Sequence, residues 1–204
     1  TQYNKCAFTD RSLNEVYAIS VGNAPEWVCT YKNVPDPRGT FYDSSDRLFV
    51  ADYNGSIWRF DSSNCGNPWS FSVSGTGNGA MGHMIDTAVN NDNGDIYGLN
   101  EDGKIHVYGS DGAWKRSLTS GLTSPKGITI TKRSGVIWLI VINNDRKNLV
   151  GIKDNGSTLS KKWTMTQIST AEGNFSEITG AEIEGDTLMV SDKDKNYSFQ
   201  IKQP

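Results

Sequence analysis

The chain is short of the residues from which several kinds of functional site are built. It has 2 histidines and 3 cysteines among 204 residues, and its longest apolar run is VIWLIVI at 136–142. That run suits a buried strand and is far shorter than the roughly 18 residues of a membrane-spanning helix. His83 and His106 are too far apart for an H-x-x-x-H zinc pair, and the cysteines are too few for a disulfide scaffold.

Positive charge is also scarce. Lys and Arg total 20 against 23 Asp and Glu, which gives a net charge of −3. No overall basic field exists to hold a polyanion, so the composition argues against a nucleic-acid partner. The sequence contains no G-x-S-x-G nucleophile motif and no assembled catalytic set. It therefore favours a non-catalytic protein without excluding an enzyme.

Glycine and tryptophan are plentiful, with 21 and 6 residues, while only 36% of the chain is hydrophobic. This mixture is typical of many short strands joined by turns. The length is enough for one sizeable core, so we predict a single all-β domain over residues 1–204.

Self-similar segments recur along the chain. Each consists of a strand, a polar turn with NG, DG, ND or KN, and a second strand, the pattern of a tight hairpin. The five segments are NEVYAISVGNAPEWVCTY (14–31), DRLFVADYNGSIWRFD (46–61), GDIYGLNEDGKIHVYG (94–109), GVIWLIVINNDRKNLVGI (135–152) and DTLMVSDKDKNYSFQI (186–201).

Two more strands accompany most hairpins. A strand that begins near a tryptophan follows three of them, and another strand precedes four of them. Four strands per repeated unit predict a β-propeller with five blades, or four if the two chain ends share one blade. A propeller must close its ring, so we expect the N-terminal TQYNKCAF to pair near the C-terminal YSFQIKQ.

Two stretches resemble known propeller repeats. DRLFVADYNGSIWRFD and SPKGITIT (124–131) resemble NHL and gluconolactonase-type propellers, whereas residues 111–140 are similar to tectonin repeats. The first resemblance implies a metal held along the axis by Glu, Asn and Asp, in a hydrolase or lactonase. The second implies a lectin with repeated glycan sites.

Polar residues recur at the end of the first strand of each hairpin, which is the second strand of the four-strand unit. They are Ser20, Asp52, Asn100, Asn143 and Asp192. Such side chains either accept backbone N–H groups in Asx-turns that fix the hairpins, or form a ring of oxygens suited to Ca²⁺ or sugar hydroxyls.

Charged residues begin the strands expected to line the axis. They are Arg38, His83, Lys126 and Glu177. Cations repel a divalent metal ion, so this set argues against the lactonase. It suits an anionic or polyhydroxylated ligand, or a channel whose charges pair with one another.

The tryptophans form two groups. Trp69, Trp114 and Trp163 recur on the expected outermost strand, where they either wedge between blades or offer platforms for sugars. Trp58 and Trp27 share a third-strand position with His106, whose alternation with Ile105 and Val107 predicts a solvent-facing imidazole.

The first residue is Thr, and sequons lie at Asn54, Asn155, Asn174 and Asn196, which together favour a secreted glycoprotein. Cys6, Cys29 and Cys65 allow one disulfide and one free thiol in three pairings. We predict a recognition propeller that binds glycans or a protein through a loop-rich face, with no cofactor unless Ca²⁺ and no membrane insertion. The alternatives are a metal-dependent hydrolase and a structural subunit of a larger extracellular assembly.

Overall fold

The computed structural model describes residues 5–21, 26–61, 68–72, 78–169, 173–184, 187–193 and 195–200. Within these ranges the chain is all-β, and its strands form five small antiparallel sheets in a ring together with one two-stranded ladder. The protein is a five-bladed β-propeller, as the repeats predict. No helix of the described residues is long and apolar enough to cross a membrane.

Blades 2, 3 and 4 each contain four strands in chain order, and blades 1 and 5 contain three. Blade 1 comprises β1 (Lys5–Asp10), β2 (Glu15–Ser20) and β3 (Glu26–Lys32). Blade 2 comprises β4 (Pro37–Tyr42), β5 (Arg47–Asp52), β6 (Ser56–Asp61) and β7 (Trp69–Phe71). Blade 3 comprises β8 (Met84–Val89), β9 (Ile96–Asn100), β10 (Ile105–Tyr108) and β11 (Trp114–Leu118).

Blade 4 comprises β12 (Gly127–Arg133), β13 (Val136–Asn143), β14 (Asn148–Asp154) and β15 (Leu159–Met165). The ladder β16 (Gln167–Ser169) and β17 (Gly173–Asn174) leads to blade 5, which comprises β18 (Ile178–Glu184), β19 (Thr187–Asp192) and β20 (Asn196–Gln200). The hairpin turns use the residues that tight turns require. Gly55 and Gly103 have φ of 86° and 88°, which L side chains rarely adopt.

The hydrophobic core is divided among the interfaces between successive blades. Alternate residues of one strand contribute to different interfaces: Leu48 and Val50 pack toward blade 1, whereas Phe49 and Ala51 pack toward blade 3. Alternate residues of β13 likewise pack into two different clusters, one on each face of blade 4. Each fully buried Leu, Ile or Phe contributes roughly 1.5–3 kcal/mol, so interlocking of neighbours stabilises the ring.

Burial on both faces corrects the prediction for His106. Its side chain is 3% exposed instead of facing solvent, because β10 lies inside a blade that is covered by neighbours on each side. Nδ1 lies 2.6 Å from the Ser117 hydroxyl, and Nε2 has no hydrogen-bond partner among the residues that the structure describes. Desolvation lowers the pKa of this imidazole.

Blade 1 is shifted by one strand relative to the repeat read from the sequence. Lys5, at the start of β1, pairs with Asp46 in the β4–β5 turn, and Arg11, just after β1, donates to Asp36 just before β4. β1 therefore runs antiparallel to β4, in the direction of the second strands. Asp10, not Ser20, occupies the position of Asp52.

This shift also moves Trp27. Its strand, β3, is the last of its blade and runs in the direction of the fourth strands of blades 2 to 4, which contain Trp69, Trp114 and Trp163. The prediction that Trp27 shares the third-strand position of Trp58 is therefore wrong. The segment KCAFTD forms β1, which takes the direction of a second strand.

The expected pairing of the chain ends is not seen in the part of the chain that the structure describes. β1 pairs with β2 along its whole length, and β20 pairs with β19. Residues 1–4 and 201–203 of the predicted pairing lie outside the described residues. Cys6 carries a free, exposed thiol, Cys29 is buried between blades 1 and 2, and Cys65 also lies outside the described residues.

Candidate functional site

The second strands end, and the first strands begin, at the same end of the ring, which we call the upper end. Its exposed loops form the upper rim, defined as residues 10–13, 36–38, 53–54, 81–83, 101–103, 123–126, 144–146, 176–177 and 193. Backbone hydrogen bonds join the two kinds of loop in blades 2 to 5: in blade 2 the N–H of Tyr53 donates to the carbonyl of Asp36 at 3.1 Å, and in blade 3 that of Glu101 donates to the carbonyl of His83 at 2.8 Å.

Buried Asp and Asn side chains lie beneath the upper rim. Asp52, Asn100, Asn143 and Asp192 are 2%, 1%, 6% and 7% exposed. All four end a second strand, as the sequence predicts. Their burial places them under the loops, where they do not form an exposed ring of ligands.

These residues hold the loops in two ways. Asp52 forms an Asx-turn, since its Oδ1 accepts the N–H of Asn54 at 2.8 Å, and its Oδ2 accepts the indole N–H of Trp58 at 3.1 Å. Burial raises the pKa of the Asp52 carboxyl, and both hydrogen bonds oppose that rise. Asp10 forms the matching turn in blade 1 by accepting the N–H of Ser12 at 2.8 Å.

Asn143 and Asp192 instead anchor the loop that enters their own blade. Asn143 Oδ1 accepts the N–H of Thr123 at 2.8 Å, and the Asp192 carboxylate accepts the N–H of Ser176 at 2.9 Å. Asn100 differs from both, because its buried Oδ1 has no donor among the described residues. The recurring position is thus a support for the upper rim in at least three blades.

The four charged residues expected along the axis do not form one cluster. Arg38 and His83 lie on either side of Tyr53: the Arg38 guanidinium is 4.2 Å from the centre of the Tyr53 ring, and the His83 ring stacks on it at 4.2 Å. We call these three residues the rim stack. Its phenol donates to Glu101 at 2.6 Å, which raises the pKa of Tyr53.

Lys126 and Glu177 each pair with a residue of the β13–β14 turn. Lys126 Nζ lies 3.2 Å from Asp145, and Glu177 accepts from Arg146 Nη1 at 2.8 Å. The sequence reading missed Tyr53, Glu101, Asp145 and Arg146. A signal was available, because each lies one to three residues beyond a recurring Asp or Asn position.

The tryptophans are mainly packing residues in this structure. Trp58 is half-buried against the core of blades 1 and 2, and the Arg59 guanidinium lies 4.9 Å from the Trp69 ring. Trp163 covers Gly151, where an added Cβ would lie 1.9 Å from the indole. Trp114 is 39% exposed, with one face over Gly79. Trp114 is therefore the best placed of these to meet a ligand.

Within the described ranges, no three His, Cys, Asp or Glu side chains are grouped so as to hold a metal ion. Three rim carboxylates already pair with cations: Asp36 with Arg11, Asp145 with Lys126, and Glu177 with Arg146. The donor set expected of a gluconolactonase-type site is not assembled among these residues.

Comparisons with known proteins bear on the fold. No family model matches the chain, and no curated protein matches it. Among solved structures, a chain of the mitotic checkpoint complex is similar with a TM-score of 0.66 at 14% identity, over 95% of this chain and 60% of that one. Streptogramin B lyase is similar with a TM-score of 0.62 at 13% identity, over 100% of this chain and 67% of that one.

The chain thus spans about 60% of the length of the checkpoint chain that it matches. At these identities the likeness concerns the fold alone. A specific relation to NHL, gluconolactonase-type or tectonin propellers stays a prediction. The comparisons and the strand topology agree that this chain has the fold of a β-propeller.

Proposed function

We propose that the chain is a non-catalytic recognition propeller that binds a protein partner through the upper rim, with the rim stack of Arg38, Tyr53 and His83 at the centre of the contact. The observation that carries the proposal is the stack itself. Tyr and Arg dominate the energetics of protein interfaces, and here they are exposed in part and packed in a fixed geometry. A surface that is already ordered loses little conformational entropy on binding.

The remainder of the upper rim supports the same function. The ion pairs Lys126–Asp145 and Arg146–Glu177 present both signs of charge around blades 4 and 5. Exposed pairs of this kind contribute only about 0–1 kcal/mol to stability. Their value in an interface is orientation and selectivity, since like charges of a wrong partner are repelled.

The setting that we propose is extracellular. All four sequon asparagines, Asn54, Asn155, Asn174 and Asn196, are exposed and therefore accessible to glycosylation. A secreted glycoprotein with one disulfide and no cofactor is consistent with these features. A structural role in a larger assembly remains the second candidate, because the same rim contact would serve it.

A crosslinking experiment tests the proposal. A photoreactive amino acid at His83, an exposed position of the rim stack, should trap a protein partner, whereas the same probe at Lys162 on β15 should not. With the purified partner, Tyr53→Ala should raise the Kd about 30-fold, the effect of losing a hot spot worth about 2 kcal/mol. The matched control, Lys132→Ala at the opposite end of the ring, should bind like the wild type.

Two results would contradict the proposal. Equal affinity of the wild type and the Tyr53→Ala variant, with both folded, would place the contact elsewhere. Loss of binding when the partner is enzymatically deglycosylated would assign the rim to glycan recognition instead.

A further inference from the structure

A second candidate site lies at the lower end of the ring, between blades 3 and 4. It is a half-open cavity of about 420 Å³, within the usual size range of small-ligand pockets. It is lined by the β8–β9, β12–β13 and β14–β15 turns together with Tyr97 and Arg116. All of its lining residues belong to the described part of the chain.

The floor of this cavity is a buried charge network. The side chain of Arg116 is 10% exposed and bonds to Asp95 and Asp154, whose side chains are 2% and 1% exposed. Tyr97 donates its hydroxyl to Asp154 at 2.6 Å. Because Asp154 belongs to blade 4 and the other three residues to blade 3, the network fixes the two blades relative to each other.

The network leaves one strong donor unused. Arg116 Nε and Nη2 make the bonds to the two carboxylates, while Nη1 makes no hydrogen bond with a described residue. The paired carboxylates raise the pKa of Arg116, so the guanidinium stays charged at any working pH. A guanidinium edge of this kind matches the geometry of a carboxylate.

The walls add further donors. Asn90 and Asn93 each use Oδ1 to accept a backbone N–H of their own turn, at 3.0 and 2.9 Å. The turns therefore fix the amide groups and leave the NH₂ of each as a donor. Lys153, which also lines the cavity, forms no ion pair within the described residues, whereas Lys132 pairs with Asp92.

Charge and shape together define the ligand. The lining carries three cationic side chains, Arg116, Lys132 and Lys153, against the two carboxylates of Asp92 and Asp154, and Asp95 behind Arg116 is also paired with Lys115. Val136 and Ile137 add a half-buried apolar wall. An anionic group would meet Lys153 and Arg116, hydroxyls would meet the asparagine amides and Asp92, and the C–H face of a ring would lie on the apolar wall.

We infer that this cavity binds an acidic sugar, that is, a pyranose that carries a carboxylate. The inference is independent of the proposed function, because the cavity and the upper rim lie at opposite ends of the ring. It also differs from the tryptophan platforms considered for glycans, since Trp69, Trp114 and Trp163 do not line the cavity.

Titration with simple sugars tests the inference. Bacterially produced protein, which carries no N-glycan at Asn155, is titrated by NMR with sodium glucuronate, glucose and sodium phosphate. Glucuronate should bind with a roughly millimolar Kd and shift the amides of residues 90–93 and 153–156, and glucose should bind about tenfold more weakly because it lacks the charge-assisted contact.

Variants of Lys153 test whether its charge contributes to glucuronate binding. Lys153→Ala should weaken glucuronate binding about tenfold, and Lys153→Arg should restore it. The matched control, Lys162→Ala, removes an exposed lysine of blade 4 that does not line the cavity. Should the alanine variant fold poorly, Lys153→Met keeps the packing of the stem and tests the same charge.

Three outcomes would overturn the inference. They are the absence of shifts with glucuronate, equal affinity for glucose, and equal affinity for phosphate. The last result would show that the cavity selects ligands by charge and does not recognise the sugar ring. Tyr53→Ala should bind glucuronate like the wild type, so failure of the rim proposal and failure of this one are separate results.

Discussion

Asp86 of β8 provides a prediction whose size follows from the structure. Its carboxyl is enclosed between the first strands of blades 2, 3 and 4, where it accepts the N–H of Thr87 at 2.9 Å and that of Ile128 at 2.8 Å. An added Cβ at Gly39 would lie 1.8 Å from its Oδ1. Burial raises the pKa of Asp86 from 3.8 to about 7, and the two backbone bonds oppose that rise without cancelling it.

The sign of the effect on stability follows from linkage. The folded state holds the Asp86 proton more tightly than the unfolded chain, so this group stabilises the fold at low pH. Stability is lost as pH rises from about 4 to about 7, at about 1.4 kcal/mol per pH unit, and the loss levels off near 4 kcal/mol.

Asp86→Asn removes the titration. Asparagine keeps one acceptor and places an NH₂ against the other backbone donor, which costs about 1 kcal/mol. The variant should thus be slightly less stable than the wild type at pH 4 and about 3 kcal/mol more stable at pH 8.

Urea unfolding of both proteins at pH 4, 5, 6, 7 and 8 measures the difference directly, because the titration of all other groups is common to both. Asp102→Asn, at a half-exposed aspartate of the β9–β10 turn, is the control and should show no such trend. A difference between Asp86→Asn and wild type that stays constant from pH 4 to pH 8 would refute the reasoning.

Three further predictions concern packing and covalent structure. Arg116→Ala leaves the buried Asp154 carboxylate without its cation and Asp95 with Lys115 alone, and should cost about 3–5 kcal/mol in urea unfolding, whereas a loss below 1 kcal/mol would show that the network is dispensable. Gly151→Ala places a Cβ 1.9 Å from Trp163 and should lower Tm by several degrees, whereas an unchanged Tm would mean that the indole moves freely. Because the Cys6 thiol is free, non-reducing peptide mapping should link Cys29 to Cys65, and any other pairing contradicts the assignment.

The fold was largely predictable because its signals are local. NG and DG turns between short apolar runs mark the hairpins, and their repetition indicates blades. The same signals do not predict which strands of blade 1 correspond to which strands of the other blades. The first turn of blade 1, DRSLN, contains no glycine, so the real hairpin of β1 and β2 was overlooked in favour of β2 and β3.

The candidate sites were less predictable because they depend on distant residues. Arg116 and Asp154 are 38 positions apart and belong to different blades, and no local pattern links them. The prediction for His106 failed although its local pattern was identified correctly, since His106 does alternate with apolar neighbours. The inference of exposure failed because a blade inside a propeller has no free face.

The anchoring of the entry loops by Asn143 and Asp192 has a consequence for how such a ring can change over time. The loop that enters blade 4 is tied to Asn143 of that blade, whereas the loop that enters blade 5 is tied to Asp192 and also, through Glu177, to Arg146 of blade 4. Sequence change on the exposed part of a loop leaves these buried anchors in place. New binding preferences can arise on one sector of the ring while the scaffold beneath stays the same.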